Sequence, residues 1–210
     1  MLAFIVALFP DGLANIAALD IGTGNGTLAL DLQAHGCSRV TGSDYSKPSI
    51  QLASAVAEHR QATSIEWVLD DILSTKLQPG WGLLASQVSM LSCRPSKAHC
   101  ICCFRWDLLT DKGTLDAIGL MANAKQARAV YKHAVIGLLK VGGVIVVTSC
   151  NASKDELVAE LACEPPGAIS PTHENIGALE YIDHVRTYPV LKYGGKEGTR
   201  VCTVAFRRHR

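Results

Sequence analysis

Short apolar runs alternate with amphipathic stretches along most of this chain, and they predict strands and helices in turn. Strands are predicted over residues 17–21, 38–43, 65–69, 106–110 and 144–148. Helices are predicted over 27–35, from about 46 to 60, over 122–139 and over 153–161. Alternating strands and helices with right-handed crossovers build a parallel sheet that carries helices on both faces.

The C-terminal part of the chain has a different pattern. Residues 181–185 and 201–206 alternate in polarity, and the turn signal Gly194-Gly195 lies between them. This pattern predicts an antiparallel pair at one edge of the sheet, which is a common addition to parallel sheets. We therefore expect an α/β fold: a Rossmann-like, doubly wound, mostly parallel seven-stranded sheet with a C-terminal antiparallel hairpin.

Two segments depart from the regular pattern. Residues 80–105 have weak periodicity and mixed polarity, and connections of this length are uncommon in such folds. We interpret them as an insertion of uncertain order in a single domain that spans residues 1–210. The apolar start of the chain (MLAFIVALFP) lacks a basic region and a cleavage site, so we interpret it as the end of a buried helix or as an artefact of where the chain begins.

Composition narrows the classes of function. The 210 residues are 48% hydrophobic and 19% charged, as in an ordinary globular protein, and the net charge of +1 supplies no field for non-specific binding of nucleic acid. No apolar run reaches the ~18–20 residues that cross a bilayer, so no membrane partner is expected. The eight cysteines are spaced too unevenly for a disulfide framework, which favours a reducing, cytoplasmic or also nuclear, compartment.

Four of the cysteines lie close together with a histidine, at Cys93, His99, Cys100, Cys102 and Cys103. Structural zinc sites favour two pairs of cysteines, each separated by two to four residues. The spacing here differs from that pattern and no second pair lies nearby, so we predict no metal site.

Three glycines alternate directly after the first predicted strand, at Gly22, Gly24 and Gly26. Glycine lets backbone N–H groups approach a ligand without a Cβ clash. Dinucleotide-binding proteins use G-x-G-x-x-G, but here the third glycine comes one position early. The pattern G-x-G-x-G suits a ligand without a pyrophosphate, such as S-adenosylmethionine. A tight turn with no ligand and a nicotinamide-dependent dehydrogenase are the alternatives.

Acidic residues come after the next two strands at positions that strengthen this interpretation. An acid at Asp44, where the second strand ends, can accept hydrogen bonds from both ribose hydroxyls. The third strand is followed by Asp70 and Asp71. An acid there can accept a hydrogen bond from the adenine amine, and Ile72 can supply a backbone N–H to the ring. Asp20, inside the first strand, is placed to order the glycine turn. The carboxyl ends of adjacent parallel strands are where such folds bind ligands.

Several stretches of the chain together resemble a known family. Residues 20–26, Asp-Ile-Gly-Thr-Gly-Asn-Gly, resemble motif I of class I S-adenosylmethionine-dependent methyltransferases. Residues 111–118, Asp-Lys-Gly-Thr-Leu-Asp-Ala-Ile, resemble a segment found in a small set of protein lysine methyltransferases. Four further stretches agree, at 41–46, 139–143, 145–151 and 193–198. Together they resemble the eukaryotic enzymes that methylate a lysine of translation elongation factor 1-alpha, over about 17–79 and 106–206.

The resemblance implies a class I methyltransferase fold and a protein-lysine N-methyltransferase activity with S-adenosyl-L-methionine as cofactor. The implied cofactor-binding residues are Asp20, Gly22, Thr23, Gly24, Asn25, Gly26, Asp44, Tyr45, Asp71 and Ile72. The glycines would hold the methionine part, Asp44 the ribose, and Asp71 with Ile72 the adenine. The implied partner is a protein substrate, elongation factor 1-alpha, acted on by a monomer.

Asp111 is the implied catalytic residue, because it comes at the end of the fourth strand beside the position of the transferable methyl group. Methyl transfer requires a neutral lysine amine in line with the sulfonium, and an acid can orient that amine or help remove its proton. Asp111 could instead cap a helix over 113–117. The segment lacks the N/D-P-P-Y motif of enzymes that methylate base or glutamine amide nitrogens, so a nucleic-acid substrate is not expected.

Two alternatives for the function stay open. One is a catalytically impaired, methyltransferase-like binding module, and the other is a methyltransferase for another protein or a small molecule. The first strand begins about 17 residues from Met1, so relative to the family we expect the chain to be truncated at its N-terminus.

Overall fold

A computed structural model describes residues 1–62, 64–77, 105–162, 177–188, 191–193, 196–198 and 201–210. The cysteine cluster and, apart from Arg105, the predicted insertion lie outside the described residues. The strands are β1 (Ala17–Ile21), β2 (Arg39–Asp44), β3 (Ile65–Leu69), β4 (Trp106–Lys112), β5 (Leu139–Ser149), β6 (Leu179–His184), β7 (Leu191–Tyr193), β8 (Lys196–Gly198) and β9 (Cys202–Arg208). The helices are α1 (Leu2–Leu8), α2 (Thr27–Ala34), α3 (Lys47–His59), α4 (Thr114–Gly119), α5 (Ala124–Leu138) and α6 (Lys154–Leu161), and a short 3₁₀ turn covers Ile72–Ser74.

Seven strands form one sheet in the order β3-β2-β1-β4-β5-β9-β6. All neighbours from β3 to β5 are parallel, whereas β9 runs antiparallel to both β5 and β6. This arrangement confirms the predicted mostly parallel sheet and its closing antiparallel pair. Strands β7 and β8 form a separate antiparallel pair, and the predicted Gly194-Gly195 turn lies outside the described residues.

The sheet has a hydrophobic core on each face, because successive side chains of a buried strand point in opposite directions. On β1, Leu19 and Ile21 belong to the core that includes residues of α4, α5 and α6. Ala18 belongs to the other core, which includes residues of α1, α2 and α3. Burial on both faces explains why these strands are continuous apolar runs rather than alternating ones.

The N-terminal apolar run forms helix α1, whose Ile5 is fully buried in the second core. The helix is present, but its other side chains are partly or fully exposed, so the predicted burial applies to Ile5 alone. Among the described residues, no helix combines the length and the apolar character needed to cross a membrane.

Two elements differ from the predicted ones. Strand β5 begins at Leu139, before the predicted start at residue 144, and the added residues contain an irregularity: Trp106 of β4 pairs with Leu139, but Leu108 pairs with Val144. Helix α4 is the helix that the sequence predicts only if Asp111 acts as a cap. Its six residues are too few to show a helical period in the sequence.

Serine side chains cap two of the helices. Ser153 and Glu156 form a capping box at α6, in which the Ser153 N–H donates to Glu156 Oε2 at 2.8 Å. Ser46 caps α3, because its hydroxyl accepts from the Ser49 N–H at 3.4 Å.

Candidate functional site

The glycine turn between β1 and α2 is a left-handed bend stabilised by backbone hydrogen bonds. Its three glycines have φ angles of +63°, +58° and +77°, at Gly22, Gly24 and Gly26. Residues that carry a side chain rarely adopt such backbone angles, so each of these three positions favours glycine. The Gly26 N–H donates to the Thr23 carbonyl at 2.9 Å, and the Thr23 N–H donates to the Ser43 carbonyl at 2.8 Å. The turn is thereby joined to the end of β2.

The surroundings of the three glycines are not alike. A Cβ on Gly22 would lie 2.0 Å from Thr114 Oγ1, and a Cβ on Gly26 would lie 2.5 Å from the Trp67 ring. A Cβ on Gly24 would meet nothing within 4 Å. The turn is therefore packed at both ends and open in the middle, which is the shape that a ligand cradle requires.

Asp20 supports the turn from inside the sheet. Its buried carboxylate accepts from the Thr23 hydroxyl and from the Thr110 hydroxyl, both at 2.7 Å. Burial raises the pKa of Asp20 to about 6, and these two hydrogen bonds oppose that rise. Its contact with Thr23 agrees with the predicted role of ordering the turn.

Asn25 shapes the outer side of the same turn. Its Oδ1 accepts from the Thr27 N–H at 3.2 Å and from the Thr27 hydroxyl at 2.8 Å. Gly26 occupies the N-cap position of α2 and has no side chain that could accept a hydrogen bond. Asn25 supplies that acceptor to the first residue of the helix instead.

Asp44 lies directly across the turn, at the end of β2. Its Oδ2 accepts from the Gly24 N–H at 3.0 Å, and its Oδ1 accepts from the Ser46 N–H at 2.8 Å. A carboxylate offers about four acceptor positions, so Asp44 keeps acceptor capacity for ribose hydroxyls. The next residue, Tyr45, is 79% exposed and leaves an aromatic ring open beside this carboxylate.

The two acids that come directly after β3 have separate roles. Asp70 organises its own loop, because its carboxylate accepts from the Thr75 hydroxyl at 2.6 Å and from the Lys76 N–H at 2.8 Å. Asp71 is exposed and accepts from the Leu73 N–H at 2.9 Å, at the start of the 3₁₀ turn. The predicted adenine contact therefore falls on the more accessible acid, next to the buried Ile72.

Strand pairing brings these positions to one edge of the sheet. The last residue of β1, Ile21, pairs with Ser43 of β2 and with Asp111 of β4. Asp44 pairs with Leu69, the last residue of β3. The glycine turn, the two acidic strand ends and the 111–118 segment therefore surround one region.

Asp111 is placed differently from the other acids. It is fully buried, and its carboxylate accepts from the Thr114 N–H at 2.8 Å, the Leu115 N–H at 3.0 Å and the Tyr131 hydroxyl at 2.6 Å. Burial raises the pKa of Asp111 to about 7, opposed by the hydrogen bonds from Tyr131, Thr114 and Leu115. The structure thus shows the helix cap that the sequence left as the alternative, and the carboxyl has no face open to a lysine amine.

Three further residues connect this region, and none of them was predicted to have a role. The Thr114 hydroxyl donates to the Ile21 carbonyl at 3.1 Å, joining α4 to the glycine turn. The Asp116 carboxylate accepts from the Ser149 hydroxyl and, at 2.7 Å, from the Cys150 N–H. Thr114 and Asp116 lie in the 111–118 segment, so the motif marked them, but no local signal marks Tyr131 as the partner of Asp111.

Within the described ranges, no group of three or more histidine, cysteine, aspartate or glutamate side chains is arranged to hold a metal ion. The cluster from Cys93 to Cys103 is not among those residues.

An open glycine cradle, acids at the next two strand ends and a seven-stranded sheet with an antiparallel closing strand define a methyltransferase architecture. A methyltransferase-domain family matches residues 13–195, and the chain belongs to this family.

Relatives extend the match to a narrower group. The chain is 32% identical to the protein-lysine N-methyltransferase EFM4 of Saccharomyces cerevisiae, over 91% of this chain and 70% of that protein. It is also 32% identical to EEF1A lysine methyltransferase 2 of Homo sapiens, over 91% of this chain and 65% of that protein. The chain therefore spans about two thirds of the length of these curated relatives. These relatives support the resemblance that residues 20–26 and 111–118 indicated.

Solved structures share the fold. The N-methyltransferase NodS of Bradyrhizobium japonicum, in complex with S-adenosyl-L-homocysteine, superposes with a TM-score of 0.60 at 17% identity, over all of this chain and 84% of that one. The magnesium protoporphyrin IX methyltransferase ChlM of Synechocystis, with bound S-adenosylmethionine, gives 0.59 at 13% identity, over all of this chain and 78% of that one. The predicted class I methyltransferase fold is confirmed.

Proposed function

We propose that this chain transfers a methyl group from S-adenosyl-L-methionine to the side-chain amine of a lysine on translation elongation factor 1-alpha. The observation that carries the transferase activity is the glycine turn, which is packed at Gly22 and Gly26 and open at Gly24. The relative named EEF1A lysine methyltransferase 2 supports the choice of substrate, and the one named protein-lysine N-methyltransferase EFM4 supports the choice of lysine.

The residues at the turn fit the cofactor. The space at Gly24 receives the methionine part, since a side chain there would occupy it. The remaining acceptor positions of Asp44 suit the ribose hydroxyls, and the exposed Tyr45 ring offers a flat apolar surface next to them. Asp71 and the Ile72 backbone are the contacts proposed for adenine. When bound, the cofactor supplies an electrophilic methyl group on a sulfonium.

Alignment, rather than covalent chemistry by the protein, is the main task of such a site. The Asp111 carboxylate fixes the first turn of α4, and Thr114 of that turn bonds to the Ile21 carbonyl directly before the glycine turn. We therefore assign Asp111 a positioning role: it holds the end of β4 against the cofactor turn, through Thr114, and does not touch the lysine amine.

The proposed setting is the cytoplasm, where the elongation factor acts, with the chain working as a monomer. The near-zero net charge agrees with a protein substrate rather than a nucleic acid.

The test is incubation of the purified chain with elongation factor 1-alpha and isotopically labelled S-adenosylmethionine, followed by mass spectrometry of the elongation factor. We expect label on a lysine, and no label with a Gly24→Ala variant. Unlabelled elongation factor with a chain that still binds S-adenosylhomocysteine would contradict the proposal and favour the impaired binding module. Label on another protein in a cell extract, with none on the elongation factor, would favour a different substrate.

A further inference from the structure

A second opening lies at the same edge of the sheet, beyond β5, β9 and β6. It encloses about 620 Å³, within the range of cavities that bind ligands. We call it the β5–β9 pocket. Its walls are residues 150–154 after β5, residues 184–186 and Tyr188 at and beyond the end of β6, and Val201 and Cys202 at the start of β9.

Lys154 and Arg186 of the lining each pair with an acid that lies just outside it. Lys154 forms an ion pair with Asp155 at 2.6 Å, and Arg186 forms one with Asp183 at 3.1 Å. The pocket is therefore polar but close to neutral. Such a lining suits peptide groups and uncharged side chains better than a phosphate or a polyanion, which would need unpaired cations.

Two aromatic hydroxyls are held in place around the same walls. The His184 Nδ1 shares a hydrogen bond with the Tyr181 hydroxyl at 2.7 Å. The Tyr188 hydroxyl bonds to the Thr203 hydroxyl, which in turn bonds to Thr148 at 2.7 Å. The imidazole and phenol groups are thus fixed before any ligand arrives, which lowers the entropy lost on binding.

The strand register places the pocket next to the proposed reaction centre. Lys112, at the end of β4, pairs with Thr148 of β5, and Ser149 of β5 pairs with Cys202 of β9. Neighbouring strands are about 4.8 Å apart, so the pocket begins roughly one strand from the end of β4. A polypeptide bound there can extend a side chain toward the glycine turn.

Asp116 connects the pocket to the cofactor side. Its carboxylate accepts from the Ser149 hydroxyl and the Cys150 N–H. Ser149 Oγ also accepts from the N–H groups of Asn151 at 3.0 Å and Ala152 at 2.8 Å, so Ser149 links Asp116 to the first residues of the loop. Helix α4 therefore contacts the glycine turn at Thr114 and the pocket rim at Asp116.

We propose that the β5–β9 pocket binds the polypeptide segment of the protein substrate that flanks its target lysine, and that Asp116 is the positioning residue of its rim. This inference rests on the proposed function, and it extends it from the cofactor to the place where the protein substrate docks.

The first test fills the pocket with a bulky side chain. Cys150 is exposed at the rim, and Val141, which is 55% exposed at the opposite end of β5, is the matched control. We expect Cys150→Trp to raise the KM for elongation factor 1-alpha by about tenfold or more, because the indole takes up docking space, while the Kd for S-adenosylhomocysteine is unchanged. Val141→Trp leaves both constants at the wild-type values. A wild-type KM in Cys150→Trp would overturn the proposal.

The second test separates the two ends of α4. Asp116→Asn removes the charge of the rim contact and is expected to raise the KM for the protein substrate without changing cofactor affinity. Thr114→Val removes the bond to Ile21 and is expected to weaken S-adenosylhomocysteine binding while the protein KM changes little. Equal losses of both affinities in Asp116→Asn would show a general structural role and contradict the assignment of Asp116 to the rim.

A binding titration distinguishes failure of this proposal from failure of the proposed function. The chain, saturated with S-adenosylhomocysteine, is titrated with elongation factor 1-alpha by interferometry. Binding by wild type that Cys150→Trp loses supports the pocket, even where no methylation is found. Binding that the substitution leaves intact, or no binding by the wild-type chain, overturns the pocket proposal. Methylation without any effect of Cys150→Trp overturns the pocket alone and leaves the function standing.

Discussion

The two halves of the sheet edge use their acidic residues in different ways. In the half formed by β1, β2 and β3, Asp44 bonds to Gly24 of the open turn, and Asp71 is exposed and accepts from the Leu73 N–H. In the half formed by β4 and β5, Asp111 is fully buried and accepts from Thr114, Leu115 and Tyr131. Acids at equivalent strand ends therefore differ in function according to the element that comes next in the chain.

The cause of the difference is the cap of the next helix. Helix α3 has a capping side chain of its own, Ser46, so Asp44 is left to face the glycine turn. Helix α4 has Gly113 at its cap position, with no side chain to accept from the first N–H groups. Asp111 supplies that acceptor and is therefore buried beneath the first turn of the helix.

Removal of the buried acid is expected to have the largest effect. Asp111→Ala leaves two helix N–H groups and the buried Tyr131 hydroxyl without their partner, so we expect a loss of about 3 kcal/mol or more in the free energy of unfolding. The matched change Asp71→Ala removes one exposed cap and is expected to cost about 1 kcal/mol. Urea unfolding of both variants measures the difference, and equal losses would contradict the contrast between the two halves.

The open cradle can be tested without disturbing the fold. Gly24 and Gly36 both have positive φ and open space around a Cβ, so alanine at either costs about 1–2 kcal/mol of stability through backbone strain. Only Gly24→Ala is expected to lose affinity for S-adenosylhomocysteine, by about 100-fold, because its methyl group enters the cradle. Calorimetric titration at matched stability measures the affinities. Similar affinity in the two variants would show that the ligand lies elsewhere.

The pH dependence of stability sharpens the comparison further. Burial raises the pKa of Asp20 to about 6 and that of Asp111 to about 7, above the value of 3.8 for an unburied aspartate. Between the pKa of the unfolded state and that of the folded state, the folded state keeps protons that the unfolded state releases. The free energy of unfolding therefore falls as the pH rises from about 4 to 7, by at most about 1.4 kcal/mol per pH unit for each group.

Asp111→Asn isolates one of these groups, since asparagine does not titrate. Urea unfolding between pH 5 and pH 8 is expected to show a shallower decline in this variant than in the wild type, with the difference concentrated below pH 7. A wild-type chain that gains stability relative to Asp111→Asn as the pH rises through this window would contradict the burial of an uncharged carboxyl.

The features that could be predicted from the sequence are those with a local pattern. The apolar runs of β1 to β4 and the alternating glycines can each be recognised in a window of about ten residues. The direction of the strands then places Asp44 and Asp71 at the same edge of the sheet. The pattern could not show the burial of Asp111, because its partner Tyr131 lies 20 residues further along the chain. It also could not show the β5–β9 pocket, whose walls come from three separate elements.

The most direct test of the central claim is whether the strand-end acid at Asp44 controls cofactor binding. Asp107 is the matched control, because its carboxylate also accepts from a backbone N–H at 3.0 Å, but from Ala17 at the opposite end of β1. We expect calorimetry to show micromolar binding of S-adenosylhomocysteine by the wild-type chain and by Asp107→Ala, and loss of binding in Asp44→Ala. A folded wild-type chain that does not bind, or an Asp44→Ala variant that binds as tightly as wild type, would contradict the account.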